Sequence, residues 1–408
     1  MSPSQPSPKN TTTTQQQTII SAFKAAQSKY RRRPQSKLEY ESSRSTIIDF
    51  SSPQQLRENF FQPISNGFEN EKPLSFFSSE ITHPTQAFTL KEFPGFLYLP
   101  GALPLSAQLE LAYWALSNYC ELPHMTNIDS LTSDSKSSND SLPVEAISMW
   151  EHWKNEQSSQ KNTKNAIKTK SKNHKTNSRN TKARPKTLQR LSWSTMGYHY
   201  DWTERSYRDD CHSTVPSPIQ TMSRYYAQLY FQYMTPNQTP PPPFDPTACI
   251  LNYYKLKSLM GGHSDNLEYA LDKPVISLSL GLPAIFLLGG RTKEDSPVIP
   301  ILIRPGDVMF LGGKSRLRYH GMARVISLEE WFQDWGGKDI NIEEIQKEGK
   351  LSSHAHTDLE FVKLYLSKHR MNLNVRQVLP DGVSSILEMD VKDVDTLEQR
   401  KKVKRNVD

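Results

Sequence analysis

The sequence predicts an α+β fold whose centre is a sandwich or barrel of short strands. Four runs of β-branched and aliphatic residues indicate the strands, and glycine, proline and aspartate turns separate them: residues 275–281, 284–290, 298–304 and 308–311. A helix is predicted at residues 104–119, where leucine and alanine recur on one helix face. The ordered part of the chain is expected to begin near Phe88.

Low-complexity segments are predicted at both ends of one folded domain. Residues 1–85 are rich in Ser, Thr, Gln, Asn and Pro and poor in apolar residues, so we expect a disordered N-terminal extension there, with a helical patch at 19–30. The domain is expected over residues 86–380. Residues 381–408 are predicted to form a charged tail that ends in a basic cluster.

A low-complexity insert is predicted within the domain at about residues 126–187. It begins rich in Ser and Asp, has a short helical pattern at 144–153, and then turns basic. From Ser158 to Arg190 there are eleven Lys or Arg and no acidic residue. Because the whole chain has a net charge of +7, the residues outside this stretch have a net charge of −4. Such a stretch favours association with nucleic acid through its phosphates, and a solvated spacer is an equally good interpretation.

Two histidines and an aspartate have the pattern of a metal site. His263 and Asp265 are two positions apart, so in an extended segment both side chains lie on one face and can bind one ion. His320 follows the four strand-like runs and is expected on a strand that faces the first. Two imidazoles and one carboxylate on one side of an ion leave positions open, which is the ligand set of non-haem Fe(II) oxygenases.

A second polar face is predicted near residues 369–377. Arg370, Asn372, Asn374 and Arg376 alternate along this segment, so a strand would present all four side chains on one side. An arginine offers a planar charged fork that fits a carboxylate with two hydrogen bonds. The face therefore suits a dicarboxylic co-substrate such as 2-oxoglutarate, while an exposed polar strand is the alternative if no iron site exists.

Four ordered motifs together resemble the AlkB family of Fe(II)/2-oxoglutarate dioxygenases. They are Cys249-Ile250-Leu251-Asn252-Tyr253-Tyr254, His263-Ser264-Asp265, Ser315-Arg316-Leu317 to His320, and Arg370-Met371-Asn372 to Arg376-Gln377. Further matches, at 193–202, 285–290 and 372–379, are similar to the eukaryotic AlkB homologue 1 subfamily. The resemblance spans residues near 90 to 380 and implies a double-stranded β-helix (jelly-roll) core with flanking N-terminal helices and disordered extensions.

The resemblance also implies cofactors and roles. His263, Asp265 and His320 correspond to the Fe(II) ligands, and Arg370 to the partner of the distal 2-oxoglutarate carboxylate. The remaining co-substrate contacts correspond to Asn252, Tyr254, Asn372 and Arg376. With Fe(II), 2-oxoglutarate and O2, the implied reaction is oxidative demethylation of alkylated bases in tRNA or DNA, with release of succinate, CO2 and formaldehyde.

Substrate contacts are less specific in the sequence. Trp193, Tyr198 and Tyr200 resemble the aromatic strand that holds a flipped base, although aromatics on a strand also serve as core residues. Bacterial members carry an acidic residue two positions beyond the ligand aspartate, where this chain has Leu267, so the choice of base is open. Oxidation of a protein substrate such as a histone, and a non-catalytic nucleic-acid-binding protein, are the alternatives.

Composition bears on the compartment of the protein. Three separated cysteines without a zinc pattern indicate a reducing environment. No membrane-spanning run is apparent. The basic clusters favour the nucleus and cytoplasm, and the first 38 residues, which lack acidic side chains, also suit a mitochondrial presequence. The sequence does not indicate an oligomeric state.

Overall fold

The computed structural model describes residues 20–51, 61–64, 74–77, 79–82, 84, 86–130, 147–165, 186–201, 203–238, 240–337, 345 and 350–389. Its helices are α1 (Ala22–Tyr30), α2 (Lys37–Arg44), α3 (Leu105–Ser117), α4 (Asn127–Ser130), α5 (Met149–Asn165), α6 (Ser217–Met234), α7 (Leu328–Asp334), α8 (Ser353–Thr357) and α9 (Leu359–Leu366). Of the helices in these ranges, none combines the length and apolar character needed to cross a membrane.

Sixteen strands are defined within those ranges. In chain order they are β1 (Phe61–Ile64), β2 (Leu74–Phe76), β3 (Ser79–Ile81), β4 (Ala87–Leu90), β5 (Phe96–Leu99), β6 (Met125–Thr126), β7 (Trp193–Asp201), β8 (Ser206–His212), β9 (Ala248–Lys255), β10 (Met260–His263), β11 (Val275–Gly281), β12 (Ala284–Leu288), β13 (Ile299–Ile303), β14 (Val308–Leu311), β15 (His320–Val325) and β16 (His369–Arg376).

Two antiparallel sheets form the centre of the molecule. The large sheet runs β1-β4-β5-β14-β11-β16-β9-β7-β6, with β8 paired to β7, and the small sheet runs β10-β15-β12-β13. One cavity is lined from both sheets, because side chains of β9, β11, β14 and β16 meet those of β10, β12, β13 and β15. The predicted double-stranded β-helix is therefore confirmed, and the four predicted runs correspond to β11 through β14.

Apolar burial explains why these strands hold their register. Six of the seven residues of β11 are buried, because α3, α6 and α9 cover the outer face of the large sheet and the small sheet covers its inner face. The helix predicted at 104–119 is α3, whose leucines pack in this outer core. Burial of an aliphatic side chain stabilises a fold by about 1.5–3 kcal/mol, so this layer contributes much of the driving force.

The helical patch predicted at residues 19–30 corresponds to α1, and the disorder predicted for the rest of residues 1–85 does not apply to residues 31–51. Here α1 begins at the cap Ser21, whose hydroxyl accepts a hydrogen bond from Lys24 N at 3.4 Å, and Phe23 is only 3% exposed. Phe23 and Tyr30 pack on the outer face of the small sheet together with Trp331. A few buried aromatic side chains anchor this segment. The composition averaged over 85 residues did not reveal them, because most of the other residues are polar. Residues 1–19 lie outside the described part.

The insert and the tail also contain more structure than predicted. Helix α5 extends well beyond the pattern at 144–153, and its Trp150 donates a hydrogen bond to Asp358 Oδ2 at 2.7 Å. Beyond residue 381, Asp209 accepts hydrogen bonds from Ser385 Oγ at 2.6 Å and Ile386 N at 3.0 Å. A few hydrogen bonds from tryptophan and to aspartate side chains therefore attach these two segments to the domain. The basic run at 166–185 and the tail at 390–408 lie outside the described residues.

Candidate metal and co-substrate site

The pairing of β10 with β15 creates a cluster of three possible metal ligands. His263 lies directly opposite His320 in the register, and Asp265 follows two residues after His263. His263 Nε2 is 3.9 Å from Asp265 Oδ1, and His320 Nε2 is 3.8 Å from Asp265 Oδ2. Candidate ligand atoms of all three residues lie within 4.8 Å of one another, and this is the one such group among the described residues.

Backbone carbonyls orient both imidazoles toward the cluster. His263 Nδ1 lies 3.0 Å from Gly261 O, and His320 Nδ1 lies 2.9 Å from Arg318 O. A carbonyl can only accept, so each Nδ1 carries the proton and each Nε2 keeps its lone pair for a metal. Burial, with the neighbouring His263, lowers the pKa of His320 to about 4, so its ring is neutral at physiological pH. The donor set fits a divalent iron ion.

Arginines fix the carboxylate of Asp265. Arg376 Nη2 donates to Asp265 Oδ2 at 3.0 Å, and Arg316 Nη1 donates to the Asp265 backbone carbonyl. Burial alone would raise the pKa of Asp265, but the charge of Arg376 and the two histidines holds that pKa well below its usual value. The carboxylate is therefore anionic, as a metal ligand must be.

A buried cation without a carboxylate partner lies in the same cavity. Arg370 is 3% exposed, and it donates to Ser279 Oγ at 2.9 Å and to Leu282 O at 3.3 Å. Its Nε atom has no hydrogen-bond partner, and the guanidinium forms no ion pair with a carboxylate of the described residues. Such a charge is costly to bury unless an anion joins it, so the cavity fits a carboxylate ligand.

The predicted polar face of β16 lines this cavity. Arg370, Asn372, Asn374 and Arg376 all reach it, and Tyr254 joins them from β9. Asn372 Nδ2 donates to Ser277 Oγ at 2.9 Å and to Leu278 O at 2.9 Å, so its position is fixed before any ligand binds. The structure thus brings together every predicted co-substrate contact except Asn252, while the roles of these residues remain predictions.

A second pocket opens on the other side of the ligands, and we call it the substrate-side pocket. It shares Met260, His263, Asp265, Asn374 and Arg376 with the first cavity. Its other lining residues are Tyr200, Arg205, Tyr207, Ile250, Asn252, Gly261, Gly262, Ser264 and residues 266–268. Asn252, predicted as a co-substrate contact, lies here. Leu267 is buried and forms part of the wall of this pocket. It occupies the position at which bacterial AlkB members carry an acidic residue.

The three predicted aromatic substrate contacts separate in the structure. Tyr200 lines the substrate-side pocket and packs edge-on against Tyr207, with ring centroids 5.5 Å apart. Tyr198 directs its hydroxyl to Asp209 Oδ1 at 3.1 Å, away from the ligands. Trp193 lies opposite Asn252 in the register but is not among the lining residues of either cavity.

Sequence reasoning missed two buried charged residues. Glu268 and Arg316 form an ion pair of 2.8 Å, and each is 2% exposed. Arg316 stands inside the motif that identified His320, and Glu268 stands three residues after Asp265, but neither had a partner visible in the sequence. Their long-range contacts became apparent only in the fold.

Comparison with known proteins gives relatives over most of the chain. The family model "2OG-Fe(II) oxygenase superfamily" matches residues 147–376. The chain is 30% identical over 373 residues to the Arabidopsis thaliana protein named DNA N(6)-methyladenine demethylase ALKBH1A, a match that covers 88% of this chain and 96% of that protein. It is also 30% identical over 301 residues to the Homo sapiens nucleic acid dioxygenase ALKBH1, covering 72% of this chain and 67% of the relative. A third match, 26% identical over 192 residues, is to the Schizosaccharomyces pombe tRNA demethylase abh1, with 47% of this chain and 54% of that protein covered.

Proposed function

The chain belongs to the 2OG-Fe(II) oxygenase superfamily, within it to the AlkB homologue 1 proteins, and on this basis we propose that it demethylates alkylated bases of nucleic acid. One observation carries the proposal: three convergent metal ligands share a cavity with a buried arginine that has no carboxylate partner. An iron ion would bind the three ligands, and a dicarboxylate would neutralise the buried arginine.

We assign the residues as follows. His263, Asp265 and His320 hold Fe(II) through the two Nε2 atoms and the carboxylate. Arg370 binds the distal carboxylate of 2-oxoglutarate, with Tyr254 and Asn372 beside it in the cavity. Arg376 already donates to Asp265, so its first task is to hold that ligand.

The bound iron and 2-oxoglutarate supply the oxidation of a carbon–hydrogen bond by O2. For an N-methylated base, the net reaction converts base–CH3, 2-oxoglutarate and O2 to the bare base, formaldehyde, succinate and CO2. The protein contributes position, because its metal ligands line both the co-substrate cavity and the substrate-side pocket. Fixed ligand geometry and the apolar wall formed by Phe286 and Met309 limit water near the reacting atoms.

A nucleobase suits the substrate-side pocket. The Tyr200 ring offers a stacking face at its rim, and Asn252 and Asn374 offer amide groups that can pair with a base edge. With Leu267 apolar, these two amides are among the polar groups of the pocket that can select the base. The relatives named for N6-methyladenine in DNA and for tRNA support both kinds of nucleic acid as substrates.

A panel of substrates tests the proposal. Purified protein with Fe(II), 2-oxoglutarate and O2 would be given N1-methyladenosine tRNA, DNA with N6-methyladenine, or a methyl-lysine histone peptide, and loss of the methyl group and release of succinate would be measured by mass spectrometry. We expect tRNA or DNA to lose methyl groups in step with succinate. Stimulation by the peptide alone would support the histone alternative, and nucleic-acid binding without any succinate would support a non-catalytic binding protein.

A further inference from the structure

Glu268 lies at the centre of a buried charge cluster next to the proposed iron ligands. Its Oε2 accepts from Arg316 Nη2 at 2.8 Å, and its Oε1 lies 3.2 Å from Arg376 Nε. Oε1 also accepts from the Tyr207 hydroxyl at 2.9 Å. With Asp265, the cluster contains two carboxylates and two guanidinium groups, so the buried charges balance.

Both arginines of the cluster act on Asp265. Arg376 approaches the side chain at Oδ2, while Arg316 donates to the backbone carbonyl and, through Nε, to Lys273 O at 3.1 Å. Each arginine also forms an ion pair with Glu268, through a hydrogen bond for Arg316 and through charge alone for Arg376 Nε. The side chain and the backbone of Asp265 are thus both fixed through one glutamate.

The sharing of Arg376 between two carboxylates has an electrostatic consequence. A guanidinium divided between Glu268 and Asp265 withdraws less electron density from Asp265 than one that pairs with Asp265 alone. If Glu268 lost its charge, Arg376 would turn fully to Asp265 and compete with a metal for its oxygens. Arg316 would also lose its only ion pair among the described residues.

We propose that Glu268 is a positioning residue that sets the orientation and donor strength of the iron ligand Asp265. This inference rests on the proposed function, because it needs Asp265 to bind iron. The hydrogen bond from Tyr207, which lies on β8, also connects Glu268 to the wall of the substrate-side pocket. In this role Glu268 acts on the metal through Asp265, and it also lines the substrate-side pocket.

Binding of Co(II), whose visible absorbance reports its coordination, tests the proposal without turnover. We expect Glu268→Gln to weaken Co(II) binding about 10- to 100-fold, as loss of a group that orients a ligand typically does, and to change the absorbance at saturating Co(II). Glu330→Gln is the matched control, because Glu330 is equally buried and pairs with Arg324 at 2.7 Å away from the ligand cluster. The control should lose stability but keep the wild-type affinity and spectrum.

The outcomes separate the inference from the function. A folded Glu268→Gln protein with wild-type affinity and spectrum would overturn the positioning role. Failure of the wild type to bind Co(II), or binding that survives His263→Ala, would instead contradict the iron site itself.

A second variant covers the case in which Glu268→Gln does not fold. Tyr207→Phe keeps every charge and removes one hydrogen bond to Glu268, so we expect about 3- to 10-fold weaker Co(II) binding. Tyr226→Phe is its control, since the buried Tyr226 hydroxyl donates to Ala102 O at 2.9 Å, outside the cluster. An unchanged affinity in Tyr207→Phe would overturn the proposal.

Discussion

Arg370→Met should strongly weaken co-substrate binding without destabilising the fold. Two charge-assisted hydrogen bonds to a carboxylate contribute about 1.5–3 kcal/mol each, so their loss should raise the 2-oxoglutarate dissociation constant about 10²- to 10⁴-fold. Burial lowers the pKa of Arg370, which reflects the cost of keeping its charge in the cavity. Because no carboxylate of the described residues pairs with it, an apolar side chain there should leave the free energy of unfolding unchanged or raise it by about 1–3 kcal/mol.

Chemical unfolding with and without 2-oxoglutarate, in anaerobic Fe(II), measures both effects. Co-substrate at 100 times the wild-type dissociation constant should stabilise the wild type by about 2.7 kcal/mol and the variant by at most about 0.4 kcal/mol. The control is Arg324→Met, which leaves the buried Glu330 without its partner and should cost about 3–5 kcal/mol. The reasoning is refuted if Arg370→Met is destabilised as much as the control, or if 2-oxoglutarate stabilises the variant as much as the wild type.

Four further features of the chain give predictions of their own. Phe23→Ala should lower the free energy of unfolding by about 3–5 kcal/mol in urea titrations, because Phe23 is 3% exposed under the small sheet; an effect below about 1 kcal/mol would mean that α1 is not docked. Burial raises the pKa of Asp307 to about 6, above its value in an unfolded chain, so stability should fall by about 3 kcal/mol as pH rises from about 4 to 6. Asp307→Asn should remove that fall in unfolding measurements across the window, and an unaltered pH profile would contradict the assignment. Tyr200→Ala should reduce kcat/KM for methylated tRNA about 5- to 100-fold through lost stacking, whereas Tyr198→Phe should match the wild type; equal effects would show that Tyr200 does not stack on the base. Deletion of residues 166–185, with seven Lys and Arg, should weaken tRNA binding and flatten its salt dependence while leaving Co(II) affinity intact, and an unchanged salt slope would indicate a plain spacer.

The strands and the metal ligands could be predicted because their signals are local. Short apolar runs between turn residues gave β11 to β14, and spacing by two residues placed His263 beside Asp265 and Arg370 beside Asn372. Both kinds of signal depend on the alternation of a strand, which holds wherever a sheet has a buried face.

Other features depend on contacts between distant segments and left no local signal. Glu268 meets Arg316 across 48 positions of sequence, and Phe23 packs on a sheet whose strands begin more than 200 residues later. The side-chain directions on the aromatic strand β7 could not be predicted for a different reason, which is its irregular backbone. Gly197 has a φ of +74° and lies so close to Thr247 O that a Cβ would overlap it, so β7 departs from regular strand geometry there. The pairing of β7 with β8 then shifts register between Tyr198 and Tyr200, so simple alternation does not predict where these two side chains lie.

The most direct test of the central claim is anaerobic binding of Fe(II) and 2-oxoglutarate followed by addition of O2 with N1-methyladenosine tRNA. We predict that the wild type binds both, and that tRNA stimulates succinate and formaldehyde in equal amounts. His263→Ala should show neither product. Binding of neither ligand by the wild type, or undiminished succinate from His263→Ala, would contradict the assignment of this site as the dioxygenase centre.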